Sequence, residues 1–242
     1  MADRLFASLE RYRGDRPWGT VLDAGTGEHS LRWLSTLGPE SVTALTGSAA
    51  RQRKLETQVR PVDEVVLGNW SDPALFHGRS WDVVLCDYLL GALDGFAPYF
   101  QDRLFQRLRP HVSGELMIVG MEPLPDQADT EAGRTALEID RLRDACIKLA
   151  GHRCYREFPR EWVLRHLDGF DVVESWSMPI IYRERWVNGQ LDVCVRKLAY
   201  LRDEELRGTL AAHIEALRER ALPMAKQGIE VGEDYVVIAR PA

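Results

Sequence analysis

Short unbroken apolar runs alternate along this chain with stretches whose apolar residues recur at helical spacing. Runs at 20–22, 41–46, 63–67, 81–88, 115–120, 171–176 and 234–239 read as strands. Between them, helical spacing appears over 2–12 (Leu5, Phe6, Leu9), 28–37 (Leu31, Leu34, Leu37) and 49–59. It appears again over 96–108, where Tyr99, Phe100, Leu104, Phe105 and Leu108 read as core, then over 130–149 and 160–167. Asp72-Pro73 predicts only a short helical turn. The spacing resumes at Leu191, Val195 and Leu198, and runs on through Leu206, Leu210, Ile214 and Leu217. Ser48 and Asp203 stand where N-caps are needed, Gly38-Pro39 where a helix must stop, and Pro159 where one starts. Strand alternating with helix predicts an α/β protein built on a mostly parallel sheet.

One strand exit carries the chemistry. Thr20-Val21-Leu22 ends in Asp23-Ala24-Gly25-Thr26-Gly27, and helical spacing starts at Glu28. Strand, glycine turn, helix is the first unit of a nucleotide-binding sheet. Gly25 and Gly27 allow a sharp turn and close approach of a ligand. The helix that follows aims unpaired N–H groups at that ligand. Asp23 would repel a pyrophosphate but suits an ammonium group, unless it merely caps the turn.

Val-Leu-Asp-x-Gly-x-Gly resembles the first motif of class I S-adenosylmethionine-dependent methyltransferases. Leu-Arg-Pro-x-x-x-Gly (108–114) and Gly-Phe-x-Val-Val (169–173) resemble that family's turns into its fifth and sixth strands. The resemblance covers nearly the whole chain. It implies a three-layer sandwich with a seven-stranded, mostly parallel sheet. The last strand runs antiparallel beside the sixth, and inserted helices follow strands five and six. It further implies one domain, 1–242, with helical cap elements at about 123–158 and 182–225. The helix at 130–149 either covers the pocket as a lid or packs on the sheet.

The family pattern assigns cofactor contacts to Asp23, Gly25, Thr26, Gly27, His29, Thr46, Gly47, Asn69, Trp70 and Asp87. Three of these depart from it. Thr46 replaces the acid that receives the ribose hydroxyls, and a threonine cannot accept two hydrogen bonds as a carboxylate does. Asn69 replaces the acid that receives the adenine amino group; its amide can still pair with an adenine edge. His29 replaces a glycine, and reads equally well as a surface histidine. Trp70 lies against the adenine or in the core. Candidates for the transfer itself are, in falling order, Asp87, Tyr88, Glu122, Tyr155 and His152. Asp87 also reads as a cap, and Tyr88 suits a sulfonium through its ring. Tyr155 and Arg156 precede the sixth strand and read as entering the acceptor site. Arg183 and Arg185, beside Tyr182 and Trp186, read as a grip for an acceptor carboxylate or as an exposed connector.

Charge narrows the field. A net charge of −6 argues against non-specific nucleic-acid binding. The local cluster of Arg51, Arg53, Lys54 and Arg60 reads as a solvated helix face. Four scattered cysteines without a C-x-x-C fit a reduced, cytoplasmic protein. The first residues, 1–4, hold no apolar signal core, and no run is long enough to span a membrane. The six histidines form no metal-ligand set, so no metal is expected.

The function that follows is methyl transfer from S-adenosylmethionine to a small-molecule acceptor (EC 2.1.1 class). One alternative resembles spermidine synthase, an aminopropyltransferase. However, Tyr88-Leu89-Leu90 stand where that family carries a second acid and a proline. Another is a methyltransferase-like partner protein without turnover. An NAD-dependent oxidoreductase fits less well, because it wants an acid or arginine near Thr46 and no acid at Asp23.

Overall fold

The structure, a computed structural model, describes residues 4–242. Residues 1–3, on which the start of the first predicted helix and most of the stretch read for an apolar signal core fall, lie outside the described residues. The elements run in order as α1 (Arg4–Arg13), β1 (Thr20–Asp23), α2 (Glu28–Thr36), β2 (Ser41–Thr46), α3 (Ala49–Leu55), β3 (Glu64–Leu67) and β4 (Trp81–Asp87). Next come α4 (Leu89–Leu93), α5 (Gln101–Leu108), β5 (Val112–Met121), α6 (Glu131–Leu149) and α7 (Arg160–Arg165). The chain closes with β6 (Phe170–Tyr182), α8 (Glu184–Leu198), α9 (Glu204–Gln227) and β7 (Ile229–Pro241).

The seven strands form one sheet in the order β3-β2-β1-β4-β5-β7-β6. The pairs from β3 through β5 are parallel, and β7 runs antiparallel to β5, with Met121 opposite Asp234. This is the α/β sheet read from the sequence. The order reverses between β1 and β4, and a sheet of this kind opens a ligand crevice beyond the strand ends at such a switch point.

The chain divides into two compact units. The first holds residues up to 122, 155–178 and 234–242; the second holds 123–154 and 179–233. In the first unit, alternate strand residues feed opposite faces of the sheet, as the two-residue period requires. Val21, Val83, Leu85, Met117 and Val236 pack with Leu5, Phe6, Leu9 and Leu34 from α1 and α2. Leu22, Val84, Cys86, Leu116 and Val237 pack with Leu90, Leu104 and Phe105 from α4 and α5. The second unit has its own core, where α6, α8 and α9 meet through Leu137, Cys146, Leu191, Cys194, Ile214 and Leu217. Leu149, Val195 and Leu206, read as helical apolar positions, are exposed.

Several predicted boundaries move, for local reasons. α3 stops at Leu55, because the Thr57 hydroxyl and the Gln58 amide both donate to Lys54 O and compete with the helical bonds. The stretch 96–100 is turns, not helix. Tyr99 there is left-handed at φ 66° and 69% exposed, so it is not a core residue. The turn after Asp72 is stabilised by its carboxylate accepting from Ala74 N–H, with no helix. A five-residue helix, α4, follows β4 directly. Tyr182 is the buried last residue of β6 and Arg183 is the N-cap position of α8, so 182–186 is not an open connector.

Two contacts fix the ends of β5. At its start, buried Glu115 receives Arg13, Arg16, Arg240 and the Tyr12 hydroxyl. At its end, a Cβ on Gly120 would overlap the ring and hydroxyl of Tyr235. That ring is 1% exposed, and its hydroxyl donates to Phe158 O at 2.8 Å, so it has nowhere to move. Gly120→Ala is expected to lower stability by about 1–3 kcal/mol, the usual cost of overpacking. Urea denaturation measures it, and an unchanged midpoint would mean the ring has room.

Candidate functional site

The switch point holds an open cleft. The end of β1, the end of β2, the turn after β3, helix α4 with its following turn, and Tyr155 all line it.

The glycine turn is built from β1 outward. Ala24 N–H donates to Leu85 O and Thr26 N–H to Leu45 O, which pins the turn between the neighbouring strands. Neither Gly25 nor Gly27 has a positive φ, so the turn itself does not demand glycine. Space does. A Cβ on Gly25 would lie 2.6 Å from Leu89 Cδ1. Around Gly27 nothing lies within 4 Å of that position, so this face of the turn is open.

Asp23 is wholly buried behind this turn. Its Oδ2 accepts from the Ser30 hydroxyl at 2.7 Å, and Ser30 Oγ also accepts from Gly27 N–H. Its Oδ1 is buried without a hydrogen bond of good geometry. Burial pushes the Asp23 pKa up to about 6; Ser30, Thr26 and the Gly25 N–H offset only part of that. A carboxylate so held is short of a cation. Ser30 is absent from the residues the sequence singles out, though its signal is present: a hydroxyl one turn into a helix that follows an acid-bearing strand.

At β2, Thr46 is 5% exposed and its Oγ1 accepts from Ser48 N–H at 3.3 Å. Ser48 caps α3 as predicted, its Oγ accepting from Arg51 N–H. A Cβ on Gly47 would lie 2.5 Å from Phe96 Cδ1, so this glycine admits the Phe96 ring. Beyond β3, Asn69 Nδ2 donates to Phe96 O at 2.7 Å, and its Oδ1 accepts from the Ser71 N–H and hydroxyl. Its amide is thus engaged within the protein. Trp70 takes its expected place in the core. It is 2% exposed in the core, its Nε1 donates to Ala24 O, and it lines the cleft.

Asp87 ends β4, half-buried, opposite Val119 of β5. Both Asp87 and Asp23 act on the buried Cys86 thiol, whose pKa is raised first by burial and then by these two charges. Tyr88 follows in the left-handed region at φ 47°, and its hydroxyl donates to Asp234 at 2.6 Å. Glu122 accepts from Arg160 N–H, which places it as a cap on α7. Tyr155 lines the cleft and is 59% exposed. His29 is exposed with its ring 5.0 Å from Phe6. His152 belongs to the second unit, with Lys197 Nζ 2.9 Å from its Nδ1 and its ring against Tyr200. Arg183 and Arg185 also belong to the second unit, where Arg183 donates to Lys226 O.

Among the described residues, no group of three or more His, Cys, Asp or Glu side chains could hold a metal ion. No helix there is long and apolar enough to cross a membrane. All four cysteines are free thiols.

No family model and no curated protein matches the chain by sequence. Solved structures do match by shape. A candidate methyltransferase of Bacillus halodurans superposes with a TM-score of 0.62 at 15% identity, over 99% of this chain and 100% of that one. Coclaurine N-methyltransferase, bound to N-methylheliamine and S-adenosylhomocysteine, gives 0.55 at 14%, over 97% and 72%. An S-adenosylmethionine-dependent methyltransferase of Geobacter sulfurreducens, in complex with S-adenosyl-L-homocysteine, gives 0.51 at 16%, over 100% and 92%. Strand order, the antiparallel β7 and these superpositions agree: the chain has the fold of the class I S-adenosylmethionine-dependent methyltransferases.

Proposed function

We propose that the cleft binds S-adenosylmethionine and that the protein is a cytoplasmic methyltransferase acting on a small-molecule acceptor. The observation that carries this reading is Asp23. A buried carboxylate whose Oδ1 lacks a hydrogen bond of good geometry stands behind an open glycine turn, on a fold of which two neighbours were solved with S-adenosylhomocysteine. The ammonium group of the co-substrate's amino-acid end supplies the missing cation, through or beside the turn at Gly25 and Gly27. Thr46 then faces the ribose and Trp70 the adenine, with Asn69 pairing only if its bond to Phe96 O loosens. When bound, the co-substrate supplies an electrophilic methyl on a sulfonium, open to in-line displacement by an acceptor lone pair.

The chain's own task is to align that lone pair and keep water out. Asp87 and Tyr88, at the exit of β4, are the residues this reading assigns to it. The Tyr88–Asp234 hydrogen bond holds the phenol in one orientation and makes its oxygen a better acceptor for a substrate proton. Glu122, Tyr155 and His152 remain lesser candidates. Near β4 and β5, Asp87, Glu122 and Asp234 offer carboxylates, which favours a neutral or cationic acceptor. An acceptor carboxylate gripped by Arg183 and Arg185 is the competing possibility.

Calorimetric titration with S-adenosylmethionine, S-adenosylhomocysteine, decarboxylated S-adenosylmethionine and NAD separates the readings. Micromolar binding of the first two alone is expected. Preference for the decarboxylated form would replace methyl transfer by aminopropyl transfer. Loss of all binding would leave a partner protein.

A further inference from the structure

The ribose end of this cleft is electrically inverted. In sheets of this kind a carboxylate at the end of the second strand receives the ribose hydroxyls, whereas an arginine nearby accommodates a ribose phosphate. Here the strand ends in neutral Thr46, and the residue that enters the lining beside it is Arg51. Arg51 is the only charged side chain among the lining residues. Its guanidinium makes no hydrogen bond or ion pair among the described residues; only its backbone N–H is engaged, on Ser48. The β2–α3 turn that carries it is fixed by two bonds, Ser48 N–H to Thr46 and Arg51 N–H to Ser48.

The surroundings reinforce the sign. Glu28, the acid facing this cluster, is already neutralised by Lys54 at 2.6 Å. Its pKa is held down first by the Lys54 hydrogen bond, then by the charges of Lys54, Arg32 and Arg51. Three cations therefore share one carboxylate, and Arg51 is the one that reaches the cleft. Behind the glycine turn the buried Asp23 disfavours an anion. The cleft is thus polarised, receptive to negative charge at the ribose and hostile to it at the glycine turn.

We propose that this cleft takes an adenosine ligand carrying a phosphate on its 2′ or 3′ ribose oxygen, in competition with the co-substrate assigned above. Arg51 pairs with the phosphate through its planar fork, and the Thr46 hydroxyl accepts from or donates to the neighbouring ribose oxygen. A 5′-phosphate gains nothing, because it points toward Asp23. Binding alone is involved, so no bond is made or broken.

The test is calorimetry on the full chain at low salt, with adenosine 2′-monophosphate, adenosine 3′-monophosphate, adenosine 5′-monophosphate and adenosine. The 2′ or the 3′ isomer is expected to bind at least about tenfold more tightly than adenosine and the 5′ isomer, and the preferred isomer identifies the phosphate's position. Arg51→Ala, at an exposed side chain, is expected to erase that preference with the melting temperature unchanged. Either of two results overturns the proposal: neither isomer surpassing adenosine, or the preference surviving in Arg51→Ala. Failure of S-adenosylhomocysteine to bind the unmodified protein would instead count against the methyltransferase reading, and leaves the nucleotide comparison intact.

Discussion

Asp23→Asn is expected to raise the melting temperature at pH 7.5 by several degrees and to weaken S-adenosylmethionine binding at least about tenfold. Complete burial moves the Asp23 pKa from 3.8 to about 6. A group whose folded pKa is raised binds its proton more readily in the native state. Its contribution to stability is therefore fullest at low pH and falls as pH rises from about 4 to about 6. Above that window the buried charge costs about 3 kcal/mol, at about 1.4 kcal/mol for each pH unit that separates the folded and unfolded pKa. Asparagine removes the charge and keeps an oxygen for the Ser30 hydroxyl, which now donates to Oδ2. The gain in melting temperature should vanish near pH 4, where wild-type Asp23 is protonated as well. Affinity moves the other way, because the charge that destabilises the free protein is the one an ammonium group would neutralise. Melting curves from pH 4 to 8 and a calorimetric titration check both halves. A mutant that melts lower at pH 7.5 would show that Asp23 is a structural cap.

Glu115→Ala is expected to cost about 3–5 kcal/mol, the range seen when one partner of a buried ion pair is removed. Glu115 is 3% exposed at the start of β5. Its Oε2 receives Arg13 at 2.7 Å, and its Oε1 receives Arg16 at 2.8 Å and Arg240 at 2.6 Å. Arg16 and Arg240 are partly exposed and would turn to water. Arg13, with a side chain only 10% exposed, would keep a buried charge facing no carboxylate. Burial alone would raise the Glu115 pKa. Hydrogen bonds from Arg240 and Tyr12, with the charges of Arg16 and Arg13, outweigh it and hold the pKa below the usual 4.5. This contribution is present above about pH 4.5 and is lost as pH falls through the lowered value. Urea denaturation at pH 7 and pH 3.5 measures it, and the mutational cost should shrink at the lower pH. A loss under about 1 kcal/mol at pH 7 would mean that the arginines solvate freely without their carboxylate.

The sheet is legible in the sequence because its strands are buried on both faces and so read as unbroken apolar runs. Thr20–Asp23 and Ser41–Thr46 stand where the runs place them, and Ser48 and Asp203 cap the helices they precede. β6 reads short at its far end: the sequence places it at 171–176, and it runs on through Pro179 to Tyr182. Helix α4 is not visible: it is one turn long and enters from a left-handed Tyr88 that no local pattern announces.

At the site, the motif at Asp23–Gly27 can be read because its residues are contiguous. Contacts across the chain cannot. Asn69 is engaged by Phe96, Gly47 makes room for that same ring, and Tyr88 finds Asp234, 146 residues away. Arg51 is the most instructive case. The sequence groups it with Arg53, Lys54 and Arg60 as a solvated basic cluster. Only the folded α3 shows that one of them, Arg51, lines the cleft.

The measurement that bears most directly on the central reading is a structure of the protein grown with millimolar S-adenosylhomocysteine. The expected result places the adenosine in the cleft between Gly25, Gly47 and Trp70, with the amino group next to the turn that hides Asp23 and the sulfur facing Asp87 and Tyr88. A ligand bound elsewhere, or one whose carboxylate end rather than its ammonium meets the Asp23 turn, would contradict it.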